Sequence, residues 1–81
     1  MATHELLDRI TINPDVIVGK PTIRGLRITV EQILKALVDG ITAQELIEDY
    51  PELELDDIKA VLLYATELVS EEQVFKVGTG V

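Results

Sequence analysis

The residues Asp39-Gly40-Ile41-Thr42 constrain this chain more than any others, because they set a helix stop directly against a helix start. Upstream, Thr29 stands as an N-cap with Gln32 at the capping-box position. Val30, Ile33, Leu34, Leu37 and Val38 then recur at helical intervals on one face. Gly40 falls where a helix commonly finishes in a left-handed residue. Thr42 with Glu45 repeats the capping box and opens a second helix, whose apolar stripe is Leu46, Ile47 and Tyr50 and which Pro51 ends. Helices joined this tightly predict a helix-turn-helix.

A longer third helix is expected from about Leu55 to Leu68. Asp56 and Asp57 fall in its first turn, where carboxylates favour the positive end of the helix dipole and where solvent is their expected neighbour. Its inward face is expected to carry Ile58, Val61, Leu62, Ala65, Leu68 and Val69, with Tyr64 on the flank and Leu63 well outside. Ahead of the helices, Ile10-Thr11-Ile12 is a β-branched run stopped by Asn13-Pro14, and Val16-Ile17-Val18 is an apolar run closed by Gly19. Pro21-Thr22-Ile23 and Leu26-Arg27-Ile28 flank Arg24-Gly25 and predict a tight hairpin, with Gly25 supplying the backbone angle that other residues resist. The fold class is therefore mainly α: a short N-terminal β-hairpin followed by a three-helix bundle. Residues 1–9 read as a loosely ordered arm with a helical turn around Glu5–Asp8. Residues 10–69 read as the single domain, and 70–81 as a tail.

With 81 residues and no cysteine, the chain has a thin core and neither a disulfide framework nor a Cys-based zinc site. Stability must come from aliphatic packing, for which the 47% hydrophobic content provides, from a dimer partner, or from both. The net charge of −8 is unevenly spread: residues 1–38 carry +1 and residues 39–81 carry −9. Such a field opposes approach to nucleic acid and suits a basic protein partner. The N-terminus has acidic residues and no long apolar run, so a cytoplasmic location is expected.

No constellation of catalytic residues is visible, and an enzyme is not expected. Gly19-Lys20-Pro21-Thr22 has the look of a phosphate loop, but Pro14 stands where the first glycine belongs, and Pro21 lacks the N–H that cradles phosphate. His4 is alone, which excludes a transition-metal site of the usual kind. The carboxylates Glu48-Asp49-Glu52 and Glu54-Asp56-Asp57 read as solvated helix ends rather than a Mg²⁺ cluster. No cofactor or metal is assigned. Lys20, Arg24 and Arg27 form a basic cluster with two evenly weighted readings. They contact a phosphate backbone or a partner's carboxylates, or they pair with the acidic half and tie the hairpin to the helices. Gly19, Pro21 and Gly25 shape the turn. The third helix opposes DNA recognition, since its first turn offers Asp56 and Asp57 with Lys59 as its one base. Leu63, Tyr64 and Phe75, with Val74 and Val77, are the candidate surface for a homodimer built on the long helix.

Several of these residues together resemble a known family. They are Ile10-Thr11-x-x-Pro14, the block Gly19-Lys20-Pro21-Thr22-Ile23-Arg24-Gly25-Leu26-Arg27-Ile28, the helix end Asp39-Gly40, Tyr50-Pro51, Asp57-Ile58-x-Ala60 and Tyr64-Ala65. The pattern resembles domain-of-unknown-function family 433 over about Ile10 to Val69. This chain departs from it in having Leu26 where the family usually has Thr, and Glu54 where Thr or Ser often caps the last helix. The resemblance implies a homeodomain-like, winged-helix-like architecture. It also implies a role as the antitoxin of a PIN-like nuclease, since many members are encoded beside one. The expectation is a homodimeric module that binds and neutralises a PIN-like ribonuclease. The alternatives are a DNA-binding transcriptional (auto)regulator and a homodimeric interaction domain without nucleic acid.

Overall fold

A computed structural model describes residues 3–15 and 19–71. The chain runs α1 (Thr3–Leu7), β1 (Ile10–Ile12), β2 (Pro21–Ile23), α2 (Val30–Val38), α3 (Ala43–Asp49) and α4 (Leu55–Glu71). It is mainly helical, with an antiparallel strand pair ahead of the three helices that the sequence indicates. Among the described residues no helix is long and apolar enough to cross a membrane.

Both capping boxes form. The Gln32 N–H donates to Thr29 Oγ1 at 3.0 Å while Gln32 Oε1 accepts from the Thr29 N–H at 2.8 Å. Thr42 and Glu45 repeat the exchange at 3.1 and 2.9 Å. Between them Gly40 takes φ 94°, and two bonds close α2: Ile41 N–H to Ala36 O at 3.0 Å and Gly40 N–H to Leu37 O at 3.1 Å. That pair is the Schellman arrangement, in which a left-handed residue satisfies the last carbonyls of a helix. Tyr50 caps α3, one residue ahead of Pro51.

The strands pair differently from the expected hairpin. The Arg24-Gly25 turn is present, with φ 46° and 73° and the Leu26 N–H donating to Ile23 O at 2.7 Å, the pattern of a type I′ turn. The strand partner of β2 is nevertheless β1, in the register Ile10 with Ile23, Thr11 with Thr22 and Ile12 with Pro21. Residues Leu26 to Ile28 return beside β2 only through the Ile23 N–H to Ile28 O bond and a single bridge between Thr22 and Thr29. The cause is local. Thr29 is already the N-cap of α2, so the chain leaves the sheet before a strand can extend.

The core comprises Ile23, Ile28, Val30, Ile33, Leu46, Leu53, Ile58 and Val61. On α4 the buried face is Asp57, Ile58, Ala60 and Val61, with Tyr64 half-buried behind them. Leu62, Leu68 and Val69, expected inside, are exposed, whereas Leu63, expected outside, is half-buried. The helix is turned toward Asp57, a carboxylate in the inward arc, which carries Leu62 and Val69 outward; Leu68 shares the face of Asp57 and is exposed because it lies past the last buried residue, Val61. Val38, the last residue of α2, is 84% exposed rather than buried. The N-terminal segment forms α1, a fourth helix packed against α4, in place of a loose arm. The run 16–18 and the tail residues Val74, Phe75 and Val77 lie outside the described residues.

At Gly40 an added methyl group would meet no atom within 4 Å, so only the backbone angle favours glycine there. Gly40→Ala is expected to cost about 1 kcal/mol through the left-handed conformation alone. Urea unfolding should show a lower midpoint at an unchanged slope; an unchanged midpoint would contradict the Schellman closure.

Candidate functional site

Two features stand out: a charge cluster around the buried Asp57 beneath the Arg24-Gly25 turn, and an apolar groove between α2 and α4. The cluster begins with Arg24, the one non-glycine residue with positive φ among those described. An L-residue in that region is strained by about 1 kcal/mol or more, and what holds it is its side chain. Arg24 Nε donates to Asp57 Oδ1 at 3.0 Å and its Nη2 to Oδ2 at 2.8 Å, a two-pronged grip matched to a carboxylate. Nη2 also donates to the Glu52 carbonyl at 2.7 Å. Arg9 approaches from the start of the strand pair, its Nη1 2.9 Å from Asp57 Oδ1 and 2.8 Å from Glu54 Oε1. The Arg9 carbonyl in turn accepts the Arg24 N–H at 2.8 Å.

Asp57 is fully buried. It sits three residues after Glu54, the N-terminal flank of α4, and its Oδ2 accepts the Glu54 N–H at 2.8 Å. Asp57 thus supplies the half of a capping box in which the side chain three residues into the helix accepts the N–H at its start. Burial pushes the Asp57 carboxyl upward, but the hydrogen bonds from Arg24, the Glu54 N–H and Arg9 outweigh it and hold the group below the usual carboxylate range. The same bonds raise both guanidinium groups: Arg9 chiefly through Glu54 and then Asp57, Arg24 chiefly through Asp57. Beside the cluster, Thr11 Oγ1 accepts the Gly25 N–H at 2.9 Å and lies 3.1 Å from Thr22 Oγ1, which fixes the turn to β1.

With its oxygens engaged by Arg24, Arg9 and the Glu54 N–H, Asp57 has no acceptor position facing solvent or a ligand. The cluster is a clasp rather than a reaction centre. This corrects the reading of Asp57 as a solvated helix end. The signal for it was present in the Glu54-x-x-Asp57 spacing of a capping box, while nothing local marked Arg9. Among the described residues no group of three or more His, Asp or Glu side chains is placed to hold a metal ion.

The basic residues read together in the sequence are separated in space. Arg24 is committed to Asp57, whereas Lys20 Nζ donates to Glu31 Oε1 at 2.7 Å, with Lys35 3.2 Å from the other Glu31 oxygen. Those two lysines, Lys20 first, lower the Glu31 carboxyl. Arg27 is on the surface. Gly19 and Gly25 take φ of 72° and 73°, and Pro21 begins β2 opposite Ile12. Of the residues named for a dimer surface, Leu63 and Tyr64 are half-buried and Phe75 lies outside the described residues.

The groove is the larger feature. Val30, Leu34 and Val38 of α2 face Tyr64, Ala65 and Leu68 of α4 around an open volume of about 500 Å³. Glu31, Lys35 and Asp39 stand on its α2 side and Pro21 adds to its wall. Tyr64 and Leu68 also wall a second hollow of about 350 Å³, completed by Leu7, Ile10, Ile12 and Glu67. Val38, Ile12 and Leu68 are 84%, 61% and 51% exposed, so the two hollows form one apolar surface crossing α4. Contiguous exposure of this kind marks interaction surfaces more often than isolated apolar residues do.

Residues 10–65 match the model of a family described as a protein of unknown function (DUF433). An uncharacterized protein of Sinorhizobium fredii, y4eO, is 29% identical over 56 residues, covering 69% of this chain and 25% of the relative. The chain thus spans about a quarter of the length of that curated relative. No solved structure matches the chain.

Asp57→Asn leaves Arg24 without its counter-charge and Arg9 with Glu54 and Asp56 alone, and is expected to cost about 3 kcal/mol at neutral pH. That is a large share of the ~4–12 kcal/mol available to a domain of this size. Because the folded carboxyl lies below its unfolded value of about 3.9, its stabilisation is complete above about pH 5 and is lost as pH falls through the folded value. Chemical denaturation across pH should therefore show a steeper acid loss for the wild type than for Asp57→Asn. Equal acid slopes would contradict the assignment.

Proposed function

The chain belongs to the DUF433 family, and we propose that it acts as a non-catalytic protein-binding module that captures and neutralises a PIN-like ribonuclease. The observation that carries this reading is the apolar surface across α4, which offers a partner an area no core element covers. The resemblance in the Gly19–Ile28 block supplies the class of partner. The charge cluster supports the same direction from the other side: Arg24 and Arg9 are directed at Asp57, and Lys20 at Glu31, so little of the basic surface is directed at phosphate. The contact with the partner accordingly moves from the basic hairpin to the α2–α4 groove.

The regulator alternative rests on the tight α2–Gly40–α3 connection, which suits a helix-turn-helix. The acidic first turn of α4 and the net charge of −8 weigh against it. A homodimer without nucleic acid is the third reading.

Co-expression with the product of the neighbouring reading frame distinguishes them. The expected result is a complex that co-purifies and in which RNA cleavage by the neighbour is suppressed. A neighbour that neither binds nor cleaves RNA would remove the reading. A promoter fragment shifted at low salt, with affinity falling steeply as salt rises, would favour the regulator.

A further inference from the structure

We propose that the occupant of the α2–α4 groove is a cationic amphipathic helix presented by the partner. This rests on the reading of the chain as a protein-binding module and names the chemistry of what it binds. The groove's long wall is set by α2, whose Val30, Leu34 and Val38 follow one another at single-turn intervals. At 1.5 Å per residue they span about 12 Å, with the buried Val30 closing the inner end and Leu34 and Val38 open to a docked helix. Across from them Ala65 and Leu68 of α4 sit past the last buried residue of that helix, Val61, where the core no longer covers it. Apolar walls with few polar groups fit a helix carrying anchors at i, i+3 or i+4, and i+7.

Charge selects the sign of that helix. Asp39 stands at the α2 end of the groove and Glu67 beside Leu68 in the adjoining hollow, and neither has an ion pair among the described residues. The lysines nearest the groove, Lys20 and Lys35, are both engaged by Glu31. A helix with Lys or Arg flanking its apolar stripe places cations against Asp39 and Glu67 while its leucine-like side chains enter the groove. A second copy of this chain fits less well. It brings another −8, and a two-fold contact sets the same acidic edges against one another.

The test uses the full chain and two labelled synthetic peptides of about 18 residues with identical Leu stripes at helical spacing, one with Lys and the other with Glu at the remaining positions. Fluorescence anisotropy should show saturable binding of the Leu/Lys peptide and at least about tenfold weaker binding of the Leu/Glu peptide. Val38→Asp and Leu68→Asp should each weaken the Leu/Lys complex about tenfold, although both add negative charge. Val38 and Leu68 are exposed, and circular dichroism melts check that the variants fold.

Several results overturn the proposal. If the variants bind the Leu/Lys peptide as tightly or more so, the attraction is bare charge. If both peptides bind alike, or neither binds, the cationic helix is wrong. If sedimentation equilibrium finds a wild-type dimer that Leu68→Asp dissociates, a second copy holds the groove. A co-purified nuclease complex that survives both variants would likewise reject the groove while leaving the neutralising role intact. A neighbour that fails to bind removes that role without bearing on the peptide result.

Discussion

A buried carboxylate has to be neutralised, and the architecture follows from how Asp57 meets that requirement. Without Arg9 and Arg24 the group would face an unpaired-charge penalty of several kcal/mol or take up a proton. With them it ties the first turn of α4 to the residue before β1 and the turn after β2, which the strand pairing already sets side by side. Arg24 holds a left-handed angle at the turn, and the grip on Asp57 holds Arg24 in it. Two of the segments that carry the family resemblance, Gly19–Ile28 and Asp57-Ile58-x-Ala60, are thus the two sides of one ion pair.

The orientation of α4 is a consequence. Once Asp57 faces inward, Ile58, Ala60 and Val61 share its face and seal the core, and the rotation carries Leu62 and Val69 outward, while Leu68, on the same face as Asp57, Val61 and Tyr64, is exposed because it lies past the core. The second half of α4 then extends beyond the core with an apolar side that α1, β1, Pro21 of β2 and α2 border. The groove therefore lies where α4 outruns the core that Asp57 anchors. The clasp has no accessible acceptor for chemistry, and the groove has apolar walls, so the surface is suited to association.

Much of this was legible in the sequence, and the reasons for the rest are physical. Thr29, Gly40, Thr42 and Pro51 act through neighbours within a few residues, so the ends of α2 and α3 follow directly from spacing. The Arg24-Gly25 turn was likewise readable, but not the partner of β2, because strand pairing is a non-local choice between Ile10-Thr11-Ile12 and Leu26-Arg27-Ile28. The face of α4 was misjudged because hydrophobic periodicity assigns Leu to the inside and Asp to the outside, and here a carboxylate with two arginines takes the inward place. Of the basic cluster, sequence offered two roles for Arg24 without a means of choosing. Arg9, forty-eight residues from Asp57, gave no local sign of its part.

The most direct measurement of this account is a double-mutant cycle between Arg24 and Asp57. Urea unfolding of the wild type, Arg24→Gln, Asp57→Asn and the double variant isolates their coupling from the cost of either truncation. The account expects a coupling of about 2–3 kcal/mol, with the double variant more stable than the two single losses added together. Additive losses, with a coupling below about 0.5 kcal/mol, would contradict it and return Asp57 to the status of an ordinary helix-capping residue.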